Sequence, residues 1–409
     1  MSSLFLFFMY ICISMKNLSS IIISALFIMP TFCACSDDNE PVAEEEFRQP
    51  EPVEMTLLMY MPWSQTLTSD LANNMYDMQR ILARDPVADK KVVVFFSTSG
   101  SDAQLIEITN GSYDILKTYS SITLNTVEGI ASIIADVKSL APANHYAMTI
   151  GCHGTGWLPT GALEPYINTY QTFKLYSTAA DAPQTRYFGG ISLQWQTDVS
   201  TLAQAIEHSG THLEYLVFDA CYMGGVEVAY ELRNVADVTV LSAAEIMSAG
   251  IPYKSIGRML LDDDPDWNSV CNKFKEYYSN YLYPYGTLAA IDSSSLEQLA
   301  QSMKSINSQY SWNDSWNSNL QSFGGFAGEE LFYDLGEYVD IMTAGNDSEF
   351  RQSLANSVIA AVHTGRYYVA YQGTYPITHF CGLSCSAPSS SAITQSWPST
   401  QWAKATTNP

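Results

Sequence analysis

The chain has 409 residues, enough for two or three domains of about 150 residues or for one large one. Apolar residues make up 47% and charged residues 15%, which excludes a disordered chain and leaves material for a large core. Lys+Arg number 19 against 42 Asp+Glu, a formal charge of −23, which argues against nucleic acid and anionic lipid as partners and suits cationic substrates.

In chain order, residues 1–34 carry one charge, Lys16, and Ile21 to Met29 form a short apolar run. Read from Met15, this is a signal peptide with a basic start. Residues 1–14 add a second apolar stretch, so the true start is expected at Met15, the alternative being a longer hydrophobic anchor over 1–29. The leader ends Phe32-Cys33-Ala34-Cys35, which resembles a bacterial lipobox and implies lipidation of Cys35 and anchoring at the outer membrane or cell surface. The acidic run Ser36 to Glu40 resembles the surface-export signal of Bacteroidetes lipoproteins. An ordinary cleaved signal peptide is the alternative. Residues 35–54 are rich in acids and carry Pro41, Pro50 and Pro52, the composition of a solvated tether. Beyond the leader cysteines (Cys12, Cys33, Cys35) stand Cys152, Cys221, Cys271, Cys381 and Cys385, an odd remainder that hints at a free thiol in an exported protein.

Residues 55–61 read as a buried strand. A helix follows behind a Thr68 or Ser69 cap, with Leu71, Met75, Met78 and Leu82 at helical spacing. Val92 to Phe96 is a second strand, 103–118 a small hairpin, and Val127, Ile130, Ile134 and Val137 line one face of a helix. His145 to Gly151 is the third core strand. Residues 158–197 are long, polar and without period, the pattern of a surface insertion. Val199, Leu202 and Ile206 mark a helix behind Asp198. Leu213 to Asp219 is the fourth core strand, followed by a helix from about Tyr222 to Arg233, and Val238 to Ala243 is the fifth. Strands alternating with helices predict an α/β fold with a mostly parallel sheet, covered on both faces because its strands are continuous apolar runs. Beyond about 255 the chain turns helix-rich (266–283, 294–308, 327–344, 349–363), with late strands near 285–291, 366–372 and 377–385.

In such sheets, sites lie at the carboxyl ends of strands. His153 follows one core strand, in Gly151-Cys152-His153-Gly154-Thr155-Gly156-Trp157, and Cys221 follows another, in Asp219-Ala220-Cys221-Tyr222-Met223. Neighbouring strands stand about 4.8 Å apart, so residues just past their ends can face one another. A Cys and a His so placed can work as nucleophile and proton shuttle. Cys221 would also open a helix, whose N-terminus favours the thiolate, and the Gly154 N–H could stabilise an oxyanion. Asp219 could instead cap the following helix. His379, Cys381 and Cys385 do not make a metal site or a disulfide: on a strand over 377–385 the two cysteines would stand ~13 Å apart. The tyrosines Tyr277, Tyr278, Tyr281, Tyr283 and Tyr285 read as helix packing.

These two motifs resemble the clostripain family of cysteine peptidases, whose caspase-like fold also carries gingipains and legumains. That family pairs a strand-His-Gly-x-Gly-Trp motif with a later strand-Asp-x-Cys-x-Met motif, here 68 residues apart from His153 to Cys221. Val226-Glu227-Val228-Ala229-Tyr230, Met59-Tyr60 and Gly382-Leu383-Ser384 are similar too, so the resemblance covers about 55–405. It implies a caspase-like three-layer sandwich and an endopeptidase in which Cys221 attacks the peptide carbonyl, His153 protonates the leaving amine, and the backbone N–H groups of Gly154 and Cys221 form the oxyanion hole. Asp219 would face the pocket for the residue before the scissile bond and favour Arg or Lys there. The insertion after 158 lies where family members are cut to mature, which makes Lys174 and Arg186 candidate self-cleavage sites. Three features depart from the family: Cys152 before His153, Pro62-Trp63-Ser64-Gln65 after the first strand, and Ser242 to Ser248, where Glu245 is the one acid. The family archetype uses calcium, the one cofactor the resemblance brings in, although the sequence has no EF-hand loop.

The expected layout is a leader (1–34), a lipid-anchored tether (35–54), a catalytic core (55–255) and a C-terminal region completing the peptidase (256–409). The partners expected are protein or peptide substrates, with no nucleic acid. The rival reading is a catalytically inactive surface lipoprotein that binds peptide or glycan. An α/β esterase is excluded by the lack of a Gly-x-Ser-x-Gly elbow.

Overall fold

Stretches rich in Val, Ile, Leu and aromatic residues pair side by side as central strands because a pleated surface covered on both sides rewards branched, apolar side chains. The computed structural model describes residues 50–62, 65–99, 101–166, 195–370, 372–388 and 391–407, which belong to a single unit, Gln49–Pro409. In chain order it runs β1 (Val53–Met61), α1 (Thr68–Arg84), β2 (Lys90–Ser99), β3 (Asp102–Ile108), β4 (Tyr113–Tyr119), α2 (Val127–Leu140), β5 (Ala143–Gly151), α3 (Val199–His208), β6 (Leu213–Asp219), α4 (Val226–Leu232) and β7 (Ala236–Leu241). It continues with α5 (Trp267–Ser279), β8 (Thr287–Asp292), α6 (Leu296–Gln309), β9 (Ser322–Gly324), β10 (Phe332–Asp334), α7 (Leu335–Thr343), α8 (Ser348–Ser357), β11 (Val358–His363), β12 (Arg366–Val369), β13 (Gly373–Pro376), β14 (Ser384–Cys385) and α9 (Gln401–Thr406).

Nine strands form one sheet in the order β11-β8-β7-β6-β5-β1-β2-β3-β4. Its middle, β7-β6-β5-β1-β2, is parallel. Both edges are antiparallel: the β3–β4 hairpin on one side, β8 and β11 on the other. Side chains alternate across it. On β6, Leu216 and Phe218 point into a core shared with α2, α3, α4 and α6, while Tyr215 and Val217 point into a second core with α1 and α5. The result is the expected three-layer sandwich with a mostly parallel sheet. Small sheets β14-β10-β9 and β12-β13 follow in the C-terminal region.

Several local expectations need correction. α1 begins at Thr68, preceded by Leu67 with no side-chain cap. Asp198 precedes α3 without capping it; its carboxylate instead accepts from the Thr160 N–H and hydroxyl. Residues 158–166 are not a detached surface insertion, since Leu158 and Leu163 are buried in the core. The rest of that segment, 167–194, lies outside the described residues. The helix expected over 349–363 stops at Ser357, because Val358 to His363 pair with β8. The one expected over 327–344 begins at Leu335, after β10. The strand expected over 377–385 is reduced to Ser384–Cys385: Asp334 accepts the Cys381 N–H (2.7 Å), a bond a ladder would otherwise take.

Candidate active site

Parallel pairing of β5 with β6 aligns Ile150 with Phe218 and Gly151 with Asp219. His153 and Cys221 each lie two residues beyond that last aligned pair, so the sheet register brings them to the same edge. The two loops then meet backbone to backbone. A Cβ on Gly154 would stand 2.3 Å from the Cys221 carbonyl oxygen, 3.1 Å from Met223 Sδ and 3.2 Å from Ala220 Cβ, so only glycine fits. The His153 ring is hydrogen-bonded through Nε2 to Thr66 Oγ1 (2.8 Å), on the segment that follows β1. The Cys152 thiol donates to the His153 carbonyl (3.0 Å) and stiffens the loop.

Cys221 is buried. Its sulfur accepts the Ile246 N–H (3.3 Å) and faces the Ile246 carbonyl at 3.7 Å. The next residue, Tyr222, takes φ 58°, the left-handed region that costs a side chain of this size of order 1 kcal/mol. The surroundings hold it there. Its N–H donates to Ala244 O (3.1 Å) and its hydroxyl to Glu245 Oε1 (2.8 Å). Its ring stacks on Phe332 with centroids 5.0 Å apart and meets Phe326 edge-on. Two residues on, the Gly224 N–H donates to Ser242 O (2.7 Å). These N–H groups therefore serve the 242–246 segment rather than a helix, and α4 begins only at Val226 behind Gly225. The expected helix from Tyr222 is corrected accordingly: Cys221 lies outside the first turn, where a helix dipole acts on a thiol.

Asp219 does not cap the following helix. It is fully buried and accepts the Ile251 N–H (2.9 Å), on the sheet face opposite Phe218. Glu245 is also buried, and its Oε1 accepts both the Tyr222 hydroxyl and the Ala370 N–H (2.8 Å). It thus joins three separate loops. The C-terminal region closes the arrangement from behind. The Ser384 N–H donates to Gly224 O (2.8 Å), and Gly225 and Ser384 form a parallel bridge. Glu227 Oε1 accepts the Ser386 N–H (2.9 Å) and the Trp397 indole N–H (2.9 Å). Burial pushes the Glu227 carboxyl above its usual range, against these hydrogen bonds.

Cys35, Lys174 and Arg186 lie outside the described residues. Among the described residues no group of three His, Cys, Asp or Glu is arranged to hold a metal ion. His379 faces Glu337 at 3.3 Å rather than Cys381, and Cys271, Cys381 and Cys385 are free thiols. Sequence reasoning did not find Thr66, Tyr222 or Ile246. The signal for Thr66 was its position just past β1, the strand beside β5. Nothing in the local sequence marks Ile246.

A mostly parallel sheet carrying a His loop and a Cys loop on adjacent strand ends, covered by helices on both faces, defines a caspase-like cysteine peptidase. The clostripain family model matches residues 184–393. The solved structure of iotapain, a secreted cysteine protease from Bacteroides thetaiotaomicron, is 36% identical with a TM-score of 0.79 and covers 87% of this chain and 100% of its own. A clostripain from the same species, in complex with the peptide inhibitor BTN-VLTK-AOMK, is 36% identical with a TM-score of 0.52, covering 55% of this chain and 100% of its own. An inactive zymogen protease from Parabacteroides distasonis, 24% identical with a TM-score of 0.72 over 88% of this chain and 99% of its own, shares the fold. A search of curated protein sequences found no match. The chain belongs to the clostripain family and is a cysteine-type endopeptidase.

Proposed function

We propose that this chain is an exported endopeptidase in which Cys221 is the nucleophile and His153 the proton shuttle. The observation that carries the reading is the register Gly151–Asp219, with Gly154 pressed on the Cys221 carbonyl. Cys221 Sγ attacks the peptide carbonyl and a thioester forms. His153 takes the thiol proton and gives it to the leaving amine as the C–N bond breaks, then takes one from the water that hydrolyses the thioester and returns it to the released sulfur. The N–H groups of Gly154 and Cys221 hold the oxyanion. Asp219 lies under the site for the residue before the scissile bond and selects Arg or Lys, with Glu245 shaping the wall beside it. The inhibitor on the related clostripain carries the peptide VLTK, which ends in Lys and supports a basic residue there.

In this structure the thiol and Asp219 are covered by the segment 242–251. Substrate access therefore requires that segment to move, and cleavage after Lys174 or Arg186 is the step proposed to release it. The secreted description of iotapain supports export, with Cys35 the proposed lipid attachment point and the tether over 35–54 holding the enzyme at the outer membrane. Calcium is proposed only as a condition to vary.

The test is hydrolysis of fluorogenic peptides ending in Arg, Lys or a neutral residue, by the protein and by its Cys221→Ala variant, with and without calcium and after limited cleavage near Lys174. Turnover of Arg and Lys substrates by the parent protein alone is expected. Turnover of neutral substrates would refute the role of Asp219. Equal turnover by the Cys221→Ala variant, or none by either, would refute the dyad and favour an inactive peptide- or glycan-binding lipoprotein.

A further inference from the structure

We propose that the apolar cavity beneath His153 is the subsite for the substrate residue just after the scissile bond, and that it selects an aliphatic side chain there. The inference rests on the Cys221–His153 reading. Register sets the cavity floor: Tyr60 aligns with Ile150, and Ile150 with Phe218, in one row across β1, β5 and β6. All three point to the α2–α3 side of the sheet. Leu202 of α3, half-buried Val199 at its first turn and Met223 of the Cys221 loop give the wall its apolar part, with His153 at the rim and the polar Gln196 and Asp198 to one side. The space is about 100 Å³. Apolar cavities of order 150 Å³ take up groups as large as benzene, so an aliphatic side chain is the right scale.

Position fixes which residue enters. Asp219, proposed to read the residue before the scissile bond, is the neighbour of Phe218 on the strand and therefore points to the opposite sheet face, where Ile251 meets it. Cys221 and His153 stand at the edge between the two faces. A chain crossing that edge leaves its acyl half on the Asp219 side. Its amine half lies on the side of His153, the proton donor to the leaving nitrogen, and there the cavity lies. An acidic side chain would lose its water against Tyr60, Ile150, Phe218 and Leu202 and would meet the Asp198 carboxylate at the cavity wall, a cost that burial does not repay.

The experiment uses the enzyme in the form that hydrolyses the Lys substrate. Internally quenched peptides keep Lys before the scissile bond and place Gly, Ala, Val, Leu or Asp after it, and kcat/KM is read for each. In parallel, Cys221 is labelled with a peptidyl acyloxymethyl ketone, which has no residue beyond the reactive carbon. We expect Val and Leu to exceed Gly and Asp by 10-fold or more, the discrimination that two or three buried methyl groups supply. Val199→Asp, a substitution compatible with the first turn of a helix, is expected to erase that preference. A flat series with Cys221 labelled overturns the subsite and leaves the dyad standing. A preference for Asp or Gly also overturns it. Failure of labelling overturns the dyad and the subsite together.

Discussion

Gly154→Ala is the sharpest perturbation of the site, because one methyl group tests whether the His153 and Cys221 loops touch. The added Cβ would lie 2.3 Å from the Cys221 carbonyl oxygen, where ordinary contact begins near 3.4 Å. The atom opposing it is backbone, which has no rotamer to swing away. The His153 and Cys221 loops must therefore part by roughly 1 Å, and misplacement on that scale costs on the order of 10²-fold in rate. Overpacking of this kind destabilises by about 1–3 kcal/mol. At about 2–4 °C per kcal/mol for domains of 150–250 residues, Tm should fall by only a few degrees in this larger unit. The assay is kcat/KM on the Lys peptide beside a thermal melt. A 10²-fold loss with the fold retained is expected. Parent-like activity in a folded variant would refute the contact and the juxtaposition of His153 with Cys221 argued from it.

Three further outcomes follow from the surroundings. Tyr222→Phe removes the hydroxyl that donates to Glu245, and urea unfolding should show a loss of about 1–3 kcal/mol, the range for taking a hydrogen-bond partner from a buried acceptor; an unchanged midpoint would deny the clamp a stabilising role. Glu227→Gln should reshape the pH dependence of stability: the folded carboxyl binds its proton more tightly than the unfolded one, whose ordinary value is 4.5. The native state thus holds more protons from 4.5 upward to the raised folded value, and parent stability falls as pH rises through that window. Denaturation between pH 4 and 8 should show the variant gaining on the parent across it; parallel curves would contradict the raised pKa. Cys271 is buried and its thiol is pushed up to about 12 by burial, so iodoacetamide at pH 8 should leave it unmodified until the protein unfolds, by peptide mass mapping.

Much of the fold was legible because its signals are local. Continuous apolar runs such as Leu213 to Asp219 fixed the central strands, and the periods of Leu71-Met75-Met78 and Ile130-Ile134-Val137 fixed two helices. The placement of His153 and Cys221 past neighbouring strand ends was legible because each follows an apolar strand run, and the motifs there resemble a known family. What failed depends on partners distant in the chain. The helix expected from Tyr222 starts four residues late because Ala244 and Ser242 capture the Tyr222 and Gly224 N–H groups, which no local propensity reports. Leu158 and Leu163 looked like parts of a polar insertion because two isolated leucines show no period, although both are buried. Around Cys381 the Asp334 side chain replaces a strand ladder. The partner of the thiol, Ile246, sits 25 residues away on another strand's exit.

The bridge between Ser384 and the Gly224–Gly225 turn has a consequence for how the enzyme comes into being. Those partners are 160 residues apart, and ribosomes add about 5–20 residues per second, so the turn after Cys221 waits roughly 8–30 s during synthesis for its other half. Trp397, which reaches Glu227 at the start of α4, arrives later still. The loop that bears the sulfur is thus among the last parts of the chain to be locked. A nascent or prematurely terminated polypeptide carries His153 and Cys221 on their paired strands before the C-terminal region has closed the turn behind them.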